Sequence, residues 1–141
     1  SWDKIWNTNV TSALSLSQAV IPLFLKQGYG KIINISSVWG NCGASCEVAY
    51  STTKGAMNTF TKALAKELAP SNIQVNAIAC GIIDTKMNSH LSNEDIEEII
   101  EEIPAGRLGS TQDVAETVYA LLTTSPYMTG QIITLDGGWT V

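Results

Sequence analysis

The sequence has one histidine, three cysteines and four prolines in 141 residues. A zinc site needs about four nitrogen or sulfur ligands, and His90 stands far from Cys42 and Cys46, so no metal cluster is expected. Cys42, Cys46 and Cys80 are too few and too scattered for a disulfide framework, and they read as small reduced side chains of a cytosolic protein. Positive charge is also scarce. Eight basic residues face 13 acidic ones, for a net charge of −5, which excludes the basic face of a nucleic-acid binder. Charged residues make up only 15%, which points to surface meant to be covered. The stretch Ile5–Leu25 has no charge, yet it contains Asn7, Asn9, three serines, Gln18 and Pro22. It reads as a buried amphipathic helix and not as a membrane span. No signal peptide opens the chain, and its 11 glycines never form G-x-G-x-x-G.

What is present is a domain-sized, 45% apolar sequence with an alternating pattern. A helix is expected from Trp2 to Lys26, apolar on most sides and so packed on more than one of them. Gly28 and Gly30 end it. Lys31–Ser36 is too uniformly apolar for a half-exposed strand and reads as central in a sheet. A glycine-containing loop leads to a helix over Glu47–Ala69, ended by Pro70. Ile73–Ile78 is the next strand. Ser92 with Asp95, and Ser110 with Asp113, have capping-box spacing and open two further helices. Gln131–Leu135 is the last strand. Strand, helix, strand, helices, strand implies an α/β fold with a parallel sheet and right-handed crossovers. Ligands then sit beyond the carboxyl ends of the strands, after Ser36, Ala79 and Leu135.

Chemistry-bearing residues fall at the first of those ends. Ser37 leaves the first strand, and Tyr50 follows 13 residues later near a helix start. Lys54 lies four residues beyond Tyr50, on the same helix face. A free tyrosine has a pKa of about 10, and a nearby ammonium lowers it towards neutrality. Ser37 can donate to a substrate carbonyl and polarise it. The set suits the reduction of a ketone or the oxidation of an alcohol. A tyrosine–lysine pair alone is a weak signal, and its weight comes from this context.

Over essentially all 141 residues the chain resembles the C-terminal part of a classical short-chain dehydrogenase/reductase. Asn34–Gly40 resembles the family's strand-end serine motif, and Tyr50–Ala56 resembles its YxxxK motif at the expected distance. Asn9, within Asn7-Thr8-Asn9-Val10, matches the family's catalytic asparagine. Ile103–Gly109 and Thr129–Gly138 are similar to 3-oxoacyl-carrier-protein reductases. The resemblance implies a doubly wound Rossmann-type parallel sheet flanked by helices, of which residues 1–141 form the C-terminal catalytic portion. It implies that Tyr50 is the general acid in reduction, and that Lys54 binds the nicotinamide ribose. It further implies that Ser37 orients the carbonyl and that Asn9 holds a water relaying protons through Lys54. Ile83 and Thr85 match positions that contact the nicotinamide carboxamide and a nearby phosphate. Where the family has Pro-Gly after the second strand, this chain has Cys80-Gly81.

The implied cofactor is NADP(H) in preference to NAD(H). The family's N-terminal glycine-rich turn is missing, and Ser1 runs straight into a helical pattern, as in a chain cut at a helix start. Weak cofactor binding by this chain alone is therefore expected, as are an open apolar edge on the Lys31–Ser36 strand, which lacks one of its neighbours here, and exposed apolar faces on the first two helices. The implied substrate is a small-molecule or carrier-bound ketone in the cytoplasm. Ser37–Gly40 with Gly43–Val48 is similar, more narrowly, to reductases of the 5-aminopentanone group on elongation factor P, with Cys46 a candidate pocket residue. Helices of this family build subunit interfaces, so a homodimer or homotetramer is expected, with no nucleic acid and no membrane as partner. The reading of another class is a catalytically silent oligomerising fragment. His90 is read as a solvated loop residue. The acidic helix, with six of the 13 acidic residues between Glu94 and Glu102, is read as a solvated face.

Overall fold

A computed structural model describes residues 1–141. The first helix is continuous in space but not uniform. It runs as α1 (Trp2–Trp6), a π-helical turn (Asn7–Thr11) and α2 (Ser12–Gln27). Gly28 closes it in the left-handed region at φ 82°, where glycine meets no Cβ penalty. Strand β1 (Gly30–Ser37) follows, then a short helix α3 (Trp39–Cys42) and the long helix α4 (Val48–Leu68). Strand β2 is Ile73–Cys80, α5 is Asn93–Glu102, α6 is Thr111–Thr123, and β3 is Ile132–Leu135. Both capping boxes form, at Ser92–Asp95 and Ser110–Asp113.

The three strands are parallel in the order β1-β2-β3. Register aligns Ser37 with Cys80 and Cys80 with Leu135, so the three carboxyl ends stand level. Every residue of β2 is buried, as a strand covered on both faces requires. On one face, Ile73 and Val75 pack with Ala65 and Leu68 of α4 and with Ile21 and Phe24 of α2. On the other, Ile78 and Cys80 pack with Leu121, Val114 and Val118 of α6. This is a partial Rossmann-type α/β fold.

The open strand edge and the exposed helix face expected of this chain are both present. β1 has β2 as its one hydrogen-bonded neighbour and leaves its other edge open within this chain. Ile35 is half-exposed as a result. The first helix leaves an apolar face open as well: Val10 and Ser17 are its buried residues, and Leu16 and Leu23 are each about two-thirds exposed. Trp2–Gln27 is long and apolar enough to cross a membrane by length and composition. A side-chain hydrogen bond from Asn9 to Thr53 ties it to α4.

Candidate functional site

The pleat of β1 separates two adjacent serines. Ser36 turns towards α4 and donates its hydroxyl to Asn58 Oδ1 at 2.6 Å. Ser37 turns to the open end of the sheet. Its Oγ accepts from the Trp39 backbone N–H at 3.1 Å, which bends the chain into α3. There Gly40 is required by space. A Cβ on it would lie 2.6 Å from the backbone carbon of Lys54, so α3 seats on α4 only without one. The seat brings the edge of Trp39 to the Tyr50 ring, with centroids 6.0 Å apart and planes at 86°.

Tyr50 and Lys54 lie on the first turns of α4. Lys54 Nζ sits 5.5 Å from the Tyr50 ring centroid and donates to the Ile35 carbonyl at 3.0 Å. Burial lowers the Lys54 pKa from its ordinary 10.5. Burial also raises the Tyr50 phenol above 10.0, while a hydrogen bond from Ser37 pulls the other way and Cys80 and Glu47 add to the rise. The expected lowering by the Lys54 ammonium is thus not met in this chain. The ammonium is engaged by the Ile35 carbonyl, and desolvation of the phenolate is the largest influence on Tyr50. At neutral pH the phenol holds its proton.

Asn9 stands in the middle of the π-helical turn, a wider turn often found at functional sites. Its Nδ2 donates to Thr53 Oγ1 at 3.1 Å, and the fully buried Thr53 donates to the Tyr50 carbonyl at 2.7 Å. Asn9 thereby fastens the first helix to α4 beside the tyrosine.

A cavity of about 680 Å³ opens at the carboxyl ends of the strands. Ser37, Tyr50, Lys54, Ile83 and Thr85 all line it. Ile83 is held by a bridge to Gly109, and its carbonyl accepts from Asn88 Nδ2 at 2.6 Å. Asn9 lines a second cavity of about 540 Å³, between the first helix and β1. Lys54 and Ile35 border both cavities, so Lys54 stands between Asn9 and Tyr50. Each residue matched to the family's catalytic and cofactor positions therefore borders one of two adjoining spaces.

Cys46 does not fit its expected place. It is exposed, holds a positive φ of 65° and lines neither cavity. His90 does line the larger cavity, from its exposed rim. Sequence reasoning missed Trp39, Glu47 and Trp139 as wall residues, and it took Cys80 for a loop change alone. The signal for Cys80 was its strand-end position in register with Ser37. Nothing local marks Trp139, which the chain brings back after β3.

The family model described as enoyl-(acyl carrier protein) reductase matches residues 1–140. The chain belongs to the short-chain dehydrogenase/reductase family. It is 46% identical over 132 residues to the uncharacterized oxidoreductase YmfI of Bacillus subtilis, covering 93% of this chain and 54% of that protein. It is 44% identical over 138 residues to the 3-oxoacyl-acyl-carrier-protein reductase FabG of Aquifex aeolicus, covering 97% of this chain and 56% of that one. A solved structure of a candidate gluconate dehydrogenase from Agrobacterium tumefaciens superposes with a TM-score of 0.94 at 35% identity. It covers 99% of this chain and 57% of the other. This short-chain dehydrogenase/reductase chain spans about half the length of the relatives it matches.

Proposed function

We propose that this chain carries the proton-transfer half of an NADP(H)-dependent reductase that converts a ketone to an alcohol. The single observation behind the reading is the convergence of Ser37, Tyr50 and Lys54 on one strand-end cavity. The Ser37 hydroxyl donates to the carbonyl oxygen and orients it. The Tyr50 phenol, protonated at neutral pH, gives its proton to that oxygen as negative charge develops there. Lys54, held at the Ile35 carbonyl, offers its remaining N–H groups to ribose hydroxyls and to the proton path. Asn9, across the shared wall, orients the next donor in that path.

The donor set suits the nicotinamide-ribose end of the cofactor, with Ile83 and Thr85 walling the carboxamide side. The cofactor, when bound, supplies the hydride. The turns after Ser37 and Cys80 hold no glycine-rich phosphate cradle, so this chain alone is expected to bind NADPH weakly. Tight binding by calorimetry would contradict that.

The favoured substrate is a 3-oxoacyl group on a carrier protein, in the cytoplasm, handled by a homodimer or homotetramer. Glu47 on the cavity wall supports a second reading, a ketone bearing an amine, as in the 5-aminopentanone group on elongation factor P. A carboxylate there would pair with the amine and repel an anionic substrate. Kinetics of the protein carrying this sequence test both. Replacing Tyr50 by Phe should remove turnover with the fold intact, and Glu47→Gln should raise the KM of an amino-ketone selectively.

A further inference from the structure

Behind the cavity lies a buried polar connection that the proposed chemistry does not use. Asn58 sits one helical turn beyond Lys54 and is 6% exposed. Its Oδ1 accepts from Ser36 Oγ at 2.6 Å, and its Nδ2 donates to Asn41 Oδ1 at 2.8 Å. The Ser36 hydroxyl also reaches the Lys54 carbonyl, at 3.3 Å. One amide thus joins three elements. Each partner borders the cavity or is a close chain neighbour of a residue that does: Ser36 lines it beside Ser37, Asn41 follows Trp39, and Asn58 follows Lys54.

We infer that Asn58 is a positioning residue for the Ser37–Tyr50–Lys54 group, acting by locking β1, α3 and α4 to one another; the inference rests on the function proposed above. An apolar side chain of similar volume suits a helix face packed on a sheet, and a buried amide costs desolvation unless it is fully bonded. Here no buried side-chain polar atom lacks a partner. A fully bonded buried amide specifies one arrangement where an apolar contact would tolerate several. The neighbouring rung gives the contrast. Asn34 Nδ2 donates to Thr61 Oγ1 at 3.0 Å across the same β1–α4 interface, one turn further from the cavity. That pair touches neither α3 nor Lys54. If polar bonding at this interface served stability alone, the two rungs would be equivalent.

The test compares Asn58→Leu with Thr61→Val in the protein carrying this sequence. Three quantities are read: thermal unfolding, kcat and KM, and the Tyr50 phenol titration by ultraviolet difference against Tyr50→Phe without cofactor. Asn58→Leu should lower kcat by about tenfold, as a misaligned reacting group does, with KM within about twofold. Its phenol should titrate higher than in the parent, because Ser37 no longer faces it squarely. Thr61→Val should leave kcat and titration within about twofold of the parent, however far its melting point falls. An unchanged titration and kcat in Asn58→Leu overturns the inference. So does an equal loss in Thr61→Val at equal destabilisation. Should Asn58→Leu fail to fold, Asn41→Ala breaks the same connection from α3 and should move the titration in the same direction; no movement there overturns the inference. The phenol titration needs no turnover. It therefore separates failure of this inference from failure of the proposed reaction, which retained turnover in Tyr50→Phe would signal.

Discussion

The two ends of the first β-α pair are built on opposite principles. At the carboxyl end of β1, polar side chains are buried and bonded: Ser36 to Asn58, Asn9 to Thr53, Thr53 to the Tyr50 carbonyl. Along the outer face of α2, apolar side chains are exposed, Leu16 and Leu23 foremost, beside the open edge of β1. The first region is complete within the chain and the second is not. Polar groups can be satisfied locally by a few partners, whereas an apolar face needs area. The difference separates what this sequence specifies alone from what it leaves to contact with other surfaces.

The largest way to break the comparison is at the bonded end. Tyr50→Phe should cut kcat of the protein carrying this sequence by about a thousandfold, within the range for a general acid, while the far-ultraviolet spectrum stays the same. Retained turnover would mean the cavity does not work through its phenol. The pH dependence follows from the raised phenol. Reduction needs the protonated form, so its rate should be flat through neutral pH and fall only above 10, whereas alcohol oxidation should climb with pH. A fall in reduction near neutrality would show the phenol to be lowered after all.

Next in size is the backbone seat. Gly40→Val drives a Cβ against the Lys54 backbone and should destabilise the fold by about 1–3 kcal/mol, read by denaturant unfolding. It should cost turnover as well, because Trp39 and Lys54 shift together. At the exposed end, Leu16→Lys with Leu23→Lys should weaken self-association in sedimentation without touching the Tyr50 titration. A constant sedimentation coefficient would show that α2 is not an association surface.

The smallest effect lies away from both regions, at α6. Arg107 pairs bidentately with Asp113, at 2.7 and 3.2 Å, and this pairing, with the bonds from Ser110, holds the carboxylate well below its usual range. A depressed carboxylate contributes stability above its unfolded pKa of 3.8 and loses it as pH falls through the folded value. The pair is exposed, so Asp113→Asn should only soften the acid limb of the pH–stability curve. An unaltered acid limb would assign that limb to Asp95 and Asp136, whose carboxyls are lowered as well.

Elements with a strong local pattern were legible. The strand expected over Ile73–Ile78 runs to Cys80, and the helix expected over Glu47–Ala69 is Val48–Leu68. Both capping boxes were readable because their chemistry is local. The tyrosine–lysine pair was legible through helix spacing. Features set by packing were not. Four-residue α3 has no periodicity to detect, and the π-helical turn reads as ordinary helix until Asn9 is seen reaching Thr53. β1 reads as a strand for the middle of a complete sheet because composition reports the environment a strand is suited to, and its open edge in this chain was expected as well. The direction of the Tyr50 shift was misjudged for a related reason: spacing reveals a charge partner but not the burial that opposes it.

The serine doublet at the end of β1 carries a lesson about mutability. Ser36 and Ser37 are chemically identical and adjacent and both border the cavity, yet the alternation of the strand bonds the first to Asn58 in the scaffold and leaves the second to Tyr50. They cannot substitute for each other. A single-residue insertion or deletion in β1 would keep the composition, keep the serines and exchange their duties, leaving a hydroxyl at each address with the wrong neighbours. Drift in this strand is therefore constrained in phase more tightly than in residue type, and its length is as much a part of the site as the hydroxyl it delivers.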